Sequence, residues 1–481
     1  MTYSILLDTT AGMTRAALLD EFGRLCELCV EPQKKESLAD TVVAGAIYKA
    51  RVISVVPSLD AAFVDLGTGA SAILHGFSLP QALNAGKGRQ PLAGVLRENS
   101  EIMVEVKRPG YAQKGPKVSA DIGLNGRYMV LLPYTTKTFT SQKLPPKERR
   151  RLEEDSKNLS PRGKILRTSA AQAGFAELEA EEMTLINRWR EIEAVAAKTP
   201  APCVLYSPDV VWQALGEWFS RLDIGEIVCN DLVMSQRLKN NRPGFKYNVK
   251  IFEPKWALFV RYNVESQIGQ ALNRQIVLPS GISLVIESTE SMTVVDVNSG
   301  RFGGENFEET ALQVNLAAAA EIAHELRLRC IGGLVVIDFI DMRSEGNRVK
   351  VTKALQEAFK NDPNKINIAG FNESGLLTLK RSRAQRPWQK FFVQTCTCCQ
   401  TGYMPNARYY AQKFYREIME LENGGGPLTL NMHPEAAAFF TGDGQPLLVE
   451  MQRVLQTTIC IKPDQDLTRD AYRILQTSSN I

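Results

Sequence analysis

The order of hydrophobic and polar positions changes along the chain, and this change predicts several separate folding units. Residues 1–35 alternate like a hairpin, and residues 40–119 contain short apolar runs separated by Pro, Ser and Gly. Short strands at such spacing are typical of a small barrel. Residues 173–199 follow helical spacing, and residues 282–380 alternate strand-like and helix-like stretches. The pattern therefore predicts a multidomain protein with a β-barrel and α/β sections.

Two polar side chains interrupt the apolar strand pattern SMTVVDVNSG at residues 291–300. Because positions two apart on a strand face the same side, Asp296 and Asn298 are expected to point together. A buried carboxylate without a partner costs several kcal/mol, so this position calls for a cation or another partner.

The apolar run LVVIDFIDM at residues 334–342 predicts a second strand, covered on both faces, that carries Asp338 and Asp341. Residues three apart face opposite sides of a regular strand, so only one of them is expected to join Asp296 unless the strand bends. We select Asp341, because ligands gather at the carboxyl ends of strands in α/β sheets. Oxygen ligands of this kind suit Mg²⁺. The alternative is that Asp296 and Asp341 cap neighbouring turns.

Composition narrows the class of protein. The chain has 481 residues, with 44% hydrophobic and 23% charged residues and a net charge of +4. These values are ordinary for a globular protein of several domains.

No run reaches the ~18–20 apolar residues that span a bilayer. The first residues lack the basic leader of a secretory signal, so we expect a cytoplasmic protein. Three histidines and no phosphate-binding glycine loop argue against a Ser-His-Asp triad or an NTPase.

The chain has nine cysteines, and three of them form its one tight cluster, TCTCCQTGY. The C-x-x-C pair Cys396 and Cys399 offers two of the four ligands of a structural zinc ion. The site is therefore either empty or shared between two chains. Cys398 is a competing thiol, and a reduced cluster without metal is the alternative.

Several motifs in fixed order give the chain a resemblance to a known family. VVDVNSG, NFEET and LRLRCIGGLVVIDFIDM, together with GAIYKARV, AAFVDLG, LNGRYMVLLP and ILRTSA, resemble the ribonuclease E/G family over nearly the whole chain. The resemblance implies an RNase H-like subdomain, an inserted OB-type barrel, a 5′-sensor subdomain, a DNase I-like catalytic subdomain, a zinc link and a small α/β domain. The expected bounds are 1–38 and 205–274 for the RNase H-like subdomain, 39–119 for the barrel and 120–204 for the 5′-sensor. They are 275–390 for the DNase I-like subdomain, 391–405 for the zinc link and 406–481 for the small α/β domain.

The resemblance also implies an activity. It is the Mg²⁺-dependent hydrolysis of internal phosphodiester bonds in single-stranded RNA, which leaves a 5′-phosphate and a 3′-hydroxyl. The processes it would serve are ribosomal RNA maturation or mRNA decay. Asp296 and Asp341 would bind one Mg²⁺, and Asn298 would support the site. The alternatives are an RNA-binding protein without catalysis and a metal-dependent DNA nuclease.

On the barrel, the resemblance assigns RNA contacts to Phe63, Ile73 and Lys114. Ile73 stands where the family has a second aromatic residue, so His75 and Phe77 are alternatives for base stacking. Without the resemblance, Phe63 would be interpreted as barrel core.

For the 5′-sensor, the resemblance implies that Arg167 and Thr168, with backbone near Gly126 and Val130, recognise a 5′-monophosphate. Glu373 falls where some members supply an arginine, which predicts a weaker preference for that end.

The zinc link implies a homodimer, possibly a dimer of dimers, in which Cys396 and Cys399 of two subunits share one Zn²⁺. Thr397 and Tyr403 depart from the family pattern there. The length is closer to that of the G-type members than to that of the E-type members. We therefore expect no extension that scaffolds other decay enzymes.

Overall fold

The computed structural model describes residues 2–10, 12–32, 42–80, 91–110, 115–240, 247–289, 291–300, 306–382, 387–395, 403–420 and 426–476. Lys114 and the cluster of Cys396, Cys398 and Cys399 lie outside these residues. Among the described residues, no helix combines the length and the apolar character needed to cross a membrane.

The strands are numbered in chain order. They are β1 (Tyr3–Asp8), β2 (Met13–Leu19), β3 (Leu25–Pro32), β4 (Ile47–Val56), β5 (Ala61–Asp65), β6 (Ser71–His75), β7 (Glu101–Arg108), β8 (Lys117–Ser119), β9 (Leu124–Asn125), β10 (Met129–Leu132), β11 (Thr138–Thr140), β12 (Gly163–Leu166), β13 (Cys203–Tyr206), β14 (Ile224–Cys229), β15 (Val249–Ile251), β16 (Gln275–Val277), β17 (Ser283–Ser288), β18 (Met292–Asn298), β19 (Gly333–Asp338), β20 (Ile366–Phe371), β21 (Leu376–Arg381), β22 (Val393–Thr395), β23 (Tyr403–Pro405), β24 (Leu428–Met432), β25 (Ile459–Pro463) and β26 (Tyr472–Gln476).

The helices are α1 (Pro146–Lys157), α2 (Phe175–Lys198), α3 (Val210–Arg221), α4 (Leu232–Asn240), α5 (Leu258–Arg261), α6 (Val264–Ala271), α7 (Phe307–Leu328), α8 (Glu345–Ala358), α9 (Ala407–Met419), α10 (Pro434–Thr441) and α11 (Gln445–Leu455). The chain divides into two compact units. Residues 1–34, 221–383 and 387–481 form the split unit, and residues 35–220 and 384–386 form the inserted unit. The finer division into six subdomains stays a prediction.

The inserted unit contains a closed five-stranded barrel. Its strands follow the order β4-β5-β6-β8-β7, and pairing between β4 and β7 closes the ring, while β13 adds to the outside of β4. Alternate residues such as Val64 and Leu74 are fully buried inside it. The unit also carries a four-stranded sheet in the order β11-β12-β10-β9, and α2 packs on that sheet through Trp189 and Leu178.

Among its described residues, the split unit contains sheets of five, six and three strands, besides the two-stranded sheet of β22 and β23. β15-β14-β1-β2-β3 form one, β16-β17-β18-β19-β21-β20 form the second, and β25-β24-β26 form the third beside α9, α10 and α11. The second sheet packs against α7 and α8 around a core that includes Val295, Ile337 and Leu379. Helix α7 begins where the Asn306 side chain accepts a hydrogen bond from the Glu308 amide at 3.0 Å, an N-cap that satisfies one of the free amides of the first turn.

Candidate functional site

Asp296 and Asn298 lie side by side at the end of β18. Val295 and Val297, the residues between and beside them, are 0% and 4% exposed and face the core, so the two polar side chains take the opposite face. The Asn298 Nδ2 donates to Asp296 Oδ2 at 2.8 Å. The expected pairing of these two residues on one face is confirmed.

Asp338 also belongs to this group, although the sequence analysis set it aside in favour of Asp341. Strands β18 and β19 run parallel, and their register places Asp338 opposite Asp296. The pKa of Asp338 is raised, first by partial burial and then by the negative charges of Asp296 and Asp341. Asp338 and Asp341 are therefore both near Asp296, which is the exception that the prediction allowed for a strand that does not continue regularly. Strand β19 ends at Asp338, so the alternation of a regular strand does not govern Asp341.

Helix α7 holds the irregular segment that carries Asp341. The Asn315 side chain, fully buried in α7, accepts a hydrogen bond from the Ile340 amide at 2.9 Å and donates to the Ile340 carbonyl at 2.8 Å. This pair of bonds fixes the backbone one residue before Asp341. The role of Asn315 leaves no local sequence signal, because the bonds join residues 25 positions apart.

Glu308 makes a second connection from α7 to the residues just after Asp341. Its carboxylate accepts from the Arg343 amide at 2.9 Å, the Ser344 amide at 3.1 Å and the Asn347 side-chain amide at 2.9 Å. These donors lower the pKa of Glu308, with the Arg343 amide as the largest cause. The start of α8 is thereby tied to the first turn of α7.

The turn between β20 and β21 lies beside Asp341. A Cβ atom at Gly375 would stand 3.6 Å from Asp341 Oδ1, and the backbone there has a φ of +81°, which favours glycine. Asn372 stabilises the turn by accepting a hydrogen bond from the Leu376 amide at 2.9 Å. Glu373 lies exposed in this turn, so it adds a negative charge to this edge of the sheet.

Carboxylate and carboxamide oxygens at one edge of a sheet are suitable donors for a hard cation. A cation would relieve the repulsion among these carboxylates, which is the second cause, after partial burial, of the raised pKa of Asp338. As they stand, the described residues hold no group of three or more His, Cys, Asp and Glu side chains placed as a metal site. Mg²⁺ commonly takes only one or two protein carboxylates and keeps several waters, so the present arrangement suits that ion.

On the barrel, Phe63 and Ile73 are direct neighbours on the outer face. They are register partners in the antiparallel pair β5–β6, and both are half-buried. The adjacent residues Val64 and Leu74 fill the interior. The alternative that Phe63 belongs to the barrel core is therefore wrong. Ile73 also pairs in register with Lys117 of β8, whose side chain is exposed.

The residues predicted to sense a 5′ end come together in the four-stranded sheet of the inserted unit. The exposed Arg167 donates from Nη1 to the Gly126 carbonyl at 2.8 Å. The Thr168 and Ser141 hydroxyl oxygens lie 3.1 Å apart. Val130 lies on β10, in register with Ile165 of β12, two residues before Arg167.

Glu181 of α2 holds the turn that includes Gly126. Its carboxylate accepts from three successive backbone amides, with distances of 2.7 Å for Tyr128 and 3.0 Å for Met129 and a shorter contact for Arg127. A Cβ atom at Gly126 would stand 2.7 Å from Glu181 Cδ, so the close approach requires glycine. Burial raises the pKa of Glu181 more than these amides lower it. Glu181 was not among the predicted site residues.

Comparisons with known proteins agree with this architecture. The model of the ribonuclease E/G family matches residues 123–384, which is more than half of the chain, and the chain belongs to that family. Ribonuclease G of Haemophilus influenzae is 28% identical over 98% of this chain and 99% of its own length. Ribonuclease G of Escherichia coli K12 is 29% identical over 88% of each chain. Ribonuclease E of Haemophilus influenzae is 35% identical over 80% of this chain but only 42% of its own length.

Proposed function

We propose that this protein is an endoribonuclease that hydrolyses single-stranded RNA with the help of Mg²⁺, leaving a 5′-phosphate and a 3′-hydroxyl. Ribosomal RNA precursors and mRNA are its proposed substrates. The observation that carries the proposal is the group of Asp296, Asp338 and Asp341 at one edge of a sheet, in a chain of the ribonuclease E/G family.

Asp296 and Asp341 would hold the ion, and the Asn298 amide fixes the rotamer of Asp296 through their hydrogen bond. When bound, Mg²⁺ supplies a water of lowered pKa and offsets negative charge on a phosphate oxygen. The chain's own part is to keep the acids in place: the sheet positions Asp296 and Asp338, and α7 positions the backbone beside Asp341.

RNA contacts outside this edge are proposed for the inserted unit. Phe63 and Ile73 form an apolar strip on the barrel, and Lys114 would add a phosphate contact. Arg167, Thr168, Gly126 and Val130 would receive a terminal 5′-phosphate, because a guanidinium fork and a hydroxyl are good ligands for that dianion. With Glu373 in place of a second arginine, we expect a modest preference for 5′-monophosphate ends.

Assembly and location are part of the same proposal. Cys396 and Cys399 of two subunits would share one Zn²⁺ in a cytoplasmic homodimer. A metal analysis of the purified protein tests this: one zinc per two chains is expected, and a zinc-free dimer would contradict the shared ion.

The activity is tested with Asp296→Asn, Asp338→Asn and Asp341→Asn, with the exposed Asp466→Asn as a matched control. Loss of an outer-shell partner of a metal costs about 10- to 100-fold in activity, so Asp338→Asn should fall in that range, and Asp296→Asn and Asp341→Asn should lose ~100-fold or more. Cleavage of a labelled single-stranded RNA in Mg²⁺ measures the rate, and filter binding measures the affinity, which should stay near the wild-type value.

Two results would contradict the proposal. A wild-type rate for Asp296→Asn or Asp341→Asn would remove these residues from the active site. Cleavage of matched single-stranded DNA in place of RNA would change the substrate class.

A further inference from the structure

The barrel presents an exposed aromatic ring next to the strip formed by Phe63 and Ile73. Phe77 keeps 68% of its surface exposed. Its ring lies against that of His75, with ring centroids 5.1 Å apart and ring planes inclined by 10°. The two rings form a stacked pair, which we name the His75–Phe77 platform. A large exposed ring with this ordered support differs from a solitary surface hydrophobe, which needs no explanation.

The position of the platform follows from the strand register. His75 is two residues after Ile73 on β6, so it lies on the same outer face. Across the pair β5–β6, Phe63 faces Ile73 and Ala61 faces His75. The platform therefore continues the row of Phe63 and Ile73 along the barrel.

The turn that displays Phe77 is held rigidly at its start. Gly76 donates from its amide to the Asp60 carbonyl at 2.7 Å, and a Cβ atom at Gly76 would lie within 2.3–2.5 Å of the Asp60 carboxylate. Asp60 has a left-handed backbone, with a φ of 43°, and its Oδ1 accepts from the Leu92 amide at 2.9 Å. Only glycine leaves room for this packing.

The end of the same turn is also tied down. The Ser78 carbonyl accepts from the amides of Ala120 at 3.0 Å and Asp121 at 2.9 Å. Phe77 thus stands between two anchored residues. A ring held in this way loses little conformational freedom when a ligand stacks on it, and such preorganisation increases affinity.

We infer that the His75–Phe77 platform stacks on an unpaired nucleobase of the RNA substrate and supplies the aromatic contact that Ile73 lacks. The inference rests on the proposed function, because that function brings single-stranded RNA to the barrel. Any nucleobase has a π-face, so the platform would be tolerant of sequence. The exposed Lys117, in register with Ile73, is placed to attract the phosphate backbone.

The test uses the full chain carrying Asp296→Asn, so that RNA is bound without being cut. Phe77→Ala, Phe77→Leu and Phe77→Trp are compared in titrations with a labelled 10-nucleotide single-stranded RNA. Base stacking contributes ~1–3 kcal/mol, so Phe77→Ala should weaken binding by about 5- to 150-fold. Phe22→Ala, which removes a ring that is 84% exposed in the split unit, is the matched control and should bind like the parent.

The aromatic series separates stacking from simple apolar contact. Phe77→Trp should bind at least as well as the parent, whereas Phe77→Leu should bind as weakly as Phe77→Ala. Unchanged affinity of Phe77→Ala, or full affinity of Phe77→Leu, would overturn the inference.

RNA cleavage, which tests the proposed function, is measured separately from RNA binding. If the chain with Asp296 intact cuts RNA while Phe77→Ala binds as tightly as the parent, the platform alone is wrong. If Phe77 governs binding but that chain cuts no RNA, the platform stands and the nuclease is wrong.

Discussion

Replacing Asn315 by leucine tests whether α7 positions the acidic edge of the sheet. Leucine has the same number and branching of side-chain heavy atoms as asparagine and suits a buried helical position, so the change removes two hydrogen bonds without leaving a cavity. The Ile340 amide and carbonyl would then lose their partner. Because Asp341 is the next residue, its carboxylate should also lose its fixed position.

The expected loss of stability follows from those two bonds. Each backbone group left without a partner costs about 1–3 kcal/mol, and the lower end applies because Ile340 is only partly buried. Leucine regains about 0.5 kcal/mol through its better helix propensity. The free energy of unfolding should therefore fall by about 1.5 kcal/mol. Urea denaturation measures it, with Gln313→Ala on the exposed side of α7 as the control, expected within ~0.5 kcal/mol of wild type.

Stability alone does not show positioning, so metal affinity is the second readout. Electron paramagnetic resonance with Mn²⁺ should show binding weakened by about tenfold in Asn315→Leu, as for loss of an outer-shell partner, and unchanged in Gln313→Ala. A variant that is destabilised but binds Mn²⁺ like wild type would refute the positioning role. Unchanged stability would refute the hydrogen-bond argument itself.

Three other predictions concern different parts of the molecule. Glu181→Gln should equalise cleavage rates of 5′-monophosphate and 5′-hydroxyl RNAs by loosening the sensor turn, whereas the exposed Glu179→Gln should not; a retained preference would contradict this. Lys164→Met should lower the free energy of unfolding by about 3–5 kcal/mol, because Glu182 would stay buried without its cation. Urea denaturation measures this, and adding Glu182→Leu should restore most of the lost stability. Burial, the largest cause, and nearby arginines hold the pKa of His324 well below 6.5, so proton uptake favours the unfolded chain. Below pH 6.5, the free energy of unfolding of wild type should fall by up to about 1.4 kcal/mol per pH unit relative to that of His324→Gln. An equal pH dependence of the two stabilities would exclude His324 as the cause.

Local patterns predicted those features that depend on neighbouring residues. The alternation around Asp296 placed it beside Asn298 because strand geometry is set by adjacent peptides. The repeated short apolar runs predicted the barrel, whose ring is closed by pairing of β4 with β7. The face occupied by Phe63 did not follow from its own strand alone, since an isolated aromatic residue is compatible with both faces.

The missed residues depend on contacts between distant parts of the chain. Asp338 meets Asp296 only because β18 and β19 pair in parallel with one particular register, which no local rule sets. Glu181 acts through amides more than fifty positions away. A search for parallel pairing between the two apolar runs, aligning VVD with VID, would have brought the two aspartates together.

The end of β19 at Asp338 explains how three acids reach one edge. Continued as a regular strand, residues 338 and 341 would face opposite sides of the sheet. The chain instead leaves the sheet after Asp338, and the lost ladder bonds are replaced by bonds from Asn315 and Glu308 to the backbone around Asp341. Like charges then repel, and this repulsion adds to partial burial, the largest cause, in raising the pKa of Asp338. Helix α7 therefore serves the site by holding the acidic segment after β19 in place through the bonds of Asn315 and Glu308.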